Sequence, residues 1–253
     1  MPVKQSIVTT DAVVLRAMDY GESSCIATLF TFEHGKISVL ARGSRMPKSK
    51  FGSTLEPLSY IQAVIYLKPT RGLQTISDAT FIRSFPVTRE SIERIEIGLR
   101  IMELTNAVML DLQHHAEVFT LLVSALTALG TTSDEVRNIL PFYQLRLASL
   151  LGFAPGFKKK EIEGLGTSHG VLELQTGRIL EDGCAGFRSE RSVLRAFTIL
   201  ARASLSTVLH MELSKTERFQ LNELVSMYLQ FHFEEAYPSR SERIFAQLGT
   251  GYP

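Results

Sequence analysis

Cysteine is scarce. Cys25 and Cys184 are the two thiols of the chain, too few for a disulfide framework, so reduced side chains in a cytosolic protein are the simplest expectation. The opening stretch MPVKQSIVTTD lacks the apolar core of a signal peptide. No apolar run approaches the roughly 18 residues from which a membrane-spanning helix is read, so a soluble intracellular protein is expected. Net charge is nearly absent as well: 27 Lys+Arg stand against 26 Asp+Glu in 253 residues, which excludes a polycation. Also missing are a G-x-x-x-x-G-K-[ST] loop to cradle nucleotide phosphates and a G-x-S-x-G nucleophile elbow. Asp11, Asp19, Glu22 and Glu33 form no recognisable two-metal carboxylate set. The six histidines show no metal-ligand spacing, the adjacent His114 and His115 pointing in different directions on a helix. No enzyme, cofactor or metal is expected.

What is there is unevenly placed. Residues 1–85 hold ten Lys+Arg against six Asp+Glu, and residues 86–150 hold five against eight. From His34 to Glu56 the cations Lys36, Arg42, Arg45, Lys48 and Lys50 have no carboxylate between them. A basic part beside an acidic part points to an anionic partner for the first. Loop cations that merely keep the protein soluble are the plainer alternative.

With 45% hydrophobic residues the chain can bury a sizeable core in one or two domains. AVVLRA, SCIATLFTF, GKISVLA, YIQAVIYL and LQTISDATFI read as five strands, punctuated by MDYGESS, FEHGK and KPTRG, with the longest connection from Gly43 to about Thr54. The pattern suits a small closed barrel, OB-fold or SH3-like. Beyond SFPVTRES the period changes. Ser91–Leu110, AEVFTLLVSALTAL and LPFYQLRLASLLGF read as helices, with Pro141 in a first turn or kinking a longer helix that starts near Ser133. Residues 156–187 are Gly-rich, hold the strand-like VLEL and GRIL, and read as an insertion. Helices then resume, with capping-box spacings at Ser214/Glu217 and Ser239/Glu242. The division expected is a barrel over 1–85 and a helical domain over 86–253, making an α+β protein.

Several ordered elements together resemble the RecO family of bacterial DNA repair proteins: Tyr20-Gly21-Glu22-Ser23-Ser24, Thr31 to Lys36, Ala41 to Ser49 in ARGSRMPKS, Leu55-Glu56-Pro57, and the helix end FYQLRLASLLGFAP. The resemblance implies an N-terminal OB-fold and a C-terminal helical domain. It implies a recombination mediator that binds single- and double-stranded DNA, anneals complementary strands and helps RecA onto strands coated by single-strand-binding protein. Its implied partners are RecR and the C-terminal tail of single-strand-binding protein, and its implied setting is the bacterial cytoplasm, at the nucleoid. Many members carry a four-cysteine zinc element after the helix end. GFKKKEIEGLG has no cysteine, and Cys184 with His169 supplies two ligands at most where a structural site needs four. No zinc is expected, and the insertion is expected to be held by packing alone.

The DNA-binding candidates are Arg42, Arg45, Lys48 and Lys50, extended along the barrel by Lys36, Lys68 and Arg71, with Arg16 pointing either to the same track or to solvent. Guanidinium groups grip phosphate bidentately, and each neutralised phosphate releases counterions. Four phosphates neutralised on a single strand predict a log–log salt slope near −3. Bases also need a stacking platform; of Phe30, Phe32, Phe51, Tyr60 and Tyr66, the one beside the basic loop, Phe51, is chosen. Lys158-Lys159-Lys160 reads as a solvated patch or a secondary DNA contact. Arg188, Arg191, Arg195 and Arg202 read as exposed helix residues or a second phosphate stripe. A partner's acidic and apolar tail needs an apolar groove with a cation, and Phe142, Leu145, Arg146 and Leu150 are the candidates. The rival functional readings are a protein-binding adaptor and a hydrolase with an unrecognised site.

Overall fold

A computed structural model describes residues 6–85, 88, 91–165 and 168–234. Packing divides the chain into two compact units, residues 1–131 and 132–253. The cut at residue 85 marks where strands give way to helices. The packing units part later, because two helices belong with the barrel.

The barrel strands are β1 (Ser6–Tyr20), β2 (Ser24–Thr31), β3 (Gly35–Ala41), β4 (Tyr60–Leu67) and β5 (Leu73–Arg83). Their order is β1-β2-β3-β5-β4, and β1 closes the ring. Its first half pairs with β4, Ser6–Val13 against Leu67–Tyr60, and its second half with β2, Ala12–Tyr20 against Thr31–Ser24. β3 and β5 run parallel and the other pairs antiparallel. This is the OB-fold, and the SH3-like alternative falls. β1 extends well beyond AVVLRA because Ser6–Asp11, apolar only at Ile7 and Val8, find ladder partners on β4. Backbone pairing, which leaves no apolar signature, sets its length.

Alternation sorts the side chains. Cys25, Ala27 and Leu29 of β2 and Ile37, Val39 and Ala41 of β3 point into the barrel core, joined by Phe51 and Leu55 from the long β3–β4 connection. A bulge between Val14 and Arg16 resets β1 so that Arg16 stands opposite Thr28 on the outer face.

Part of that outer face is covered by α1 (Ile92–Val108) and α2 (Ala116–Thr131). Ser91 caps α1 by accepting the Arg94 N–H. The Phe119 ring of α2 meets Phe30 at 6.1 Å, Phe32 at 5.5 Å and Tyr60 at 6.1 Å between centroids. The Lys36 ammonium donates to the Asn106 carbonyl at 2.8 Å and lies 3.4 Å from Asp111. Beside it Gly35 sits at φ +69, where a Cβ would stand 2.1 Å from the Gln113 carbonyl oxygen. Only glycine lets the α1–α2 connection come that close.

The second unit begins with a 3₁₀ turn (Val136–Asn138) and α3 (Ile139–Leu150), with Pro141 in its first turn as one of the two expectations had it. α4 (Lys159–Glu163), β6 (His169–Glu173), β7 (Arg178–Glu181), β8 (Phe187–Glu190), α5 (Arg191–Arg202), α6 (Leu205–Leu209) and α7 (Lys215–Phe233) follow. Ser214 and Glu217 form the expected capping box; Ser239 and Glu242 lie outside the described residues. The Arg218 guanidinium, buried, donates to Asn138 at 2.7 Å and to Glu135 at 2.9 Å, tying α7 to the start of α3.

The insertion is a three-stranded sheet, β7-β6-β8. Its third strand was illegible because FRSE has no apolar alternation. Packing alone does not hold it, contrary to expectation. The Glu161 carboxylate of α4 accepts two N–H groups of Arg178 at 2.9 and 3.0 Å, and the backbone N–H of Lys158 at 3.0 Å and Ile179 at 3.3 Å. Burial opposes its ionisation, but the Lys158 and Ile179 N–H groups and the Arg178 guanidinium outweigh it and lower its pKa. Cys184 is exposed, and His169 bonds Ser168 at 2.9 Å. Among the described residues no three His, Cys, Asp or Glu gather as a metal site, so the donors present do not fit the four-cysteine zinc element. Among the described residues, no helix is long and apolar enough to cross a membrane.

Candidate nucleic-acid interface

β3 delivers Ala41 to the core, and the chain emerges at Arg42 and turns at Gly43, φ +70. The loop that follows is fixed at both ends and open between. At its start the Arg45 N–H bonds the Ser23 carbonyl of the β1–β2 turn at 2.9 Å. The Arg45 guanidinium donates to the Gly21 carbonyl at 3.2 Å and pairs with Asp19 at 3.1 Å. At its far end Phe51 and Leu55 are buried in the barrel. Between them Arg42, Lys48 and Lys50 are exposed. Arg42 and Lys48 make no ion pair with any described residue, and Lys50 lies 5.5 Å from the centroid of the Phe51 ring. Three exposed cations thus stand on an anchored backbone, and the fourth, Arg45, holds the loop to the turn.

The other barrel candidates do not join this group. Ser38 of β3 pairs with Leu73 of β5 in parallel register, which brings the β4–β5 turn, with Lys68 and Arg71, alongside the start of β3 and Lys36. Arg42 lies six residues along, about 20 Å at the rise of a strand. Lys36, with its side chain 15% exposed, is engaged internally by Asn106 and Asp111. Lys68 is half-buried and Arg71 exposed in a turn held by the Gln74 side chain, which accepts the Lys68 N–H at 2.8 Å and donates to the Lys68 carbonyl at 3.1 Å.

Phe51, the expected stacking platform, lies inside the barrel. It is 2% exposed, and a ring inside the barrel has no face to offer a base. Phe30 and Tyr60 lie under Phe119, and the Tyr60 hydroxyl, raised in pKa by burial and by Asp11, donates to that carboxylate at 3.2 Å. The aromatic that is open at this end is Tyr20, 54% exposed at the close of β1. In sequence Tyr20 reads as a turn residue of MDYGESS. The outward alternation Arg16, Met18, Tyr20 was the available signal.

In the second unit, Phe142 and Leu145 are core residues, 4% and 0% exposed. Arg146 donates to the Ala201 carbonyl at 3.2 Å and lies 5.8 Å from the Phe142 ring. Leu150 alone of that set is an exposed apolar side chain, so α3 supplies no groove. An apolar groove of about 730 Å³ lies elsewhere, with Ile162, Ile199, Met211 and Leu213 in its walls and Arg191 and Arg195 beside them; Glu163, Glu212 and Glu217 also line it. The arginine stripe is broken up. Arg188 pairs with Asp182 at 2.8 and 3.0 Å, and Arg202 lies 4.2 Å over the Phe157 ring and donates to the Phe157 carbonyl at 2.6 Å. Lys158 and Lys160 are exposed.

The chain matches two family descriptions in succession, recombination protein O N terminal over residues 5–85 and recombination protein O C terminal over residues 89–241. It is 42% identical to a DNA repair protein RecO of Salinibacter ruber over 253 residues, covering 99% of this chain and 97% of that protein. It is 30% identical to a DNA repair protein RecO of Chloroherpeton thalassium, covering 94% and 98%. A third, from an Exiguobacterium species, is 28% identical, covering 86% and 88%.

Proposed function

The chain belongs to the recombination protein O family of DNA repair proteins, and from that premise we propose that it is a cytoplasmic mediator of recombination that works by binding DNA backbone. It holds single and double strands, anneals complementary strands and helps load RecA onto strands coated by single-strand-binding protein. RecR and the tail of single-strand-binding protein are its protein partners. None of these steps makes or breaks a covalent bond: screening phosphate repulsion while keeping two strands close is enough, so no catalytic residue or cofactor is assigned. An acidic and apolar tail suits the groove beside Arg191 and Arg195 better than α3.

The observation that carries the reading is the acid-free loop from Arg42 to Lys50, fixed to the barrel and presenting Arg42, Lys48 and Lys50 to solvent. Three phosphates neutralised give a salt slope on single strands of about −2, shallower than four free cations would produce. Filter binding of an oligonucleotide across a salt series measures it. Reversing Arg42, Lys48 and Lys50 together to Glu should abolish salt-sensitive binding while the protein stays folded. Unchanged affinity at low salt in that variant would remove the loop from the interface.

A further inference from the structure

The loop explains how phosphate is gripped but leaves the bases without a seat, now that Phe51 is in the core. The outer face of β1–β2–β3 supplies one. Register places Tyr20 opposite Ser24, and Cys25 opposite Ala41. Arg42, the residue after Ala41, therefore leaves β3 beside Ser24. Cys25 and Ala41 face the core, so Tyr20, Ser24 and Arg42 share the outer face by alternation. Two strand spacings put Tyr20 and Arg42 about 10 Å apart at the backbone.

The next outward row is Met18, Ile26 and Leu40, and the one after it Arg16, Thr28 and Ser38. Met18 and Arg16 are exposed, and Ile26 and Leu40 half-exposed. The row beyond, Val13, Phe30 and Lys36, is where the cover begins: Phe119 lies on Phe30, and Asn106 and Asp111 hold Lys36. What remains open is a strip with an apolar middle, an aromatic ring at one end and a cation at each, Arg42 with Lys48 on the loop side and Arg16 on the other. The acids at the loop end are Asp19, engaged by Arg45, and Glu22 in the turn.

We infer that single-stranded nucleic acid lies across this strip, one base stacked on the Tyr20 ring and its neighbours over Met18, Ile26 and Leu40, with backbone phosphates at Arg42 and Arg16. The inference rests on the DNA-binding reading and adds to it a seat for unpaired bases. Charge complementarity selects the occupant. Cations at both ends of an apolar strip match a polyanion whose bases are free to stack, which a duplex, with its bases already stacked, is not. Arg45 becomes a positioning residue that sets the turn carrying Tyr20.

The chain contains no tryptophan, so Tyr20→Trp creates a single fluorescent reporter at the seat. Its emission should be quenched by oligothymidylate and little changed by duplex of equal length. Tyr20→Ala should weaken oligothymidylate binding by about 5- to 100-fold with duplex affinity within about twofold, and Tyr20→Phe should bind as the wild type does. Oligothymidylate binding without quenching, or full affinity in Tyr20→Ala, overturns the base seat while the loop reading stands. Failure of the wild-type protein to bind oligothymidylate at low salt overturns both.

Discussion

The basic loop and the inserted sheet both carry arginines, and the fold treats most of them in opposite ways. In the sheet and the helix after it three guanidinium groups are committed: Arg178 to Glu161, Arg188 to Asp182, Arg202 to Phe157. In the loop Arg42 and Lys48 are left without an anion, and Arg45 is the one cation tied down. The difference separates cations that tie the fold together from cations that stand open to solvent. Sequence shows the number of charges in each region, and only packing shows which have been used.

The sharpest break of that comparison comes from side chains adjacent in sequence to the loop cations. Phe51→Ala should destabilise the barrel by about 3–5 kcal/mol in denaturant unfolding, yet cost the folded protein far less DNA affinity than reversal of Arg42, Lys48 and Lys50; an equal loss would restore Phe51 to the interface. Next, Glu161→Gln should cost about 1–2 kcal/mol, seen as faster amide exchange in β6 and β7, with DNA binding untouched. Arg42→Gln should do the reverse. Stability changes by less than about 0.5 kcal/mol, and the single-strand salt slope flattens by about 0.7. If both variants lost affinity equally, the distinction between the two regions would fail.

A smaller effect is set by pH. Glu161 titrates below its ordinary value in the fold, so its contribution is present above the unfolded glutamate pKa and lost as pH falls through the lower folded one. An acid titration of unfolding should show that loss in the wild type and not in Glu161→Gln. Smallest of all, the Arg188–Asp182 pair is on the surface, and Asp182→Asn should leave the unfolding midpoint unmoved.

The strands of the barrel were legible because alternation is local: SCIATLFTF, GKISVLA and YIQAVIYL each declare one buried face. β8 was not, since FRSE owes its place to pairing with β6 rather than to pattern. The basic loop was legible as a run of cations without acids. The separation of Lys36 and Arg71 from Arg42 was hidden, because it depends on the parallel pairing of β3 with β5. The burial of Phe51 and the exposure of Tyr20 were hidden for a related reason. An aromatic beside charges looks exposed in sequence, but the loop folds Phe51 inward as its anchor, while β1 runs on to carry Tyr20 past the rim. The helix FYQLRLASLL misled in the same way, as an apolar stripe reads alike whether it lines a groove or fills a core.

The seam at Gly35 bears on how this barrel can be inherited. The Gln113 carbonyl fits against a glycine with no room for a methyl group, Lys36 is clasped next to it, and Phe119 roofs Phe30. A chain cut after residue 85 would bare Phe30 and Val13 and orphan an ammonium, and should be insoluble. One cut after Thr131 should fold alone. Any gene that borrowed this barrel would therefore have to take the first two helices with it, which makes the heritable piece larger than the strands suggest.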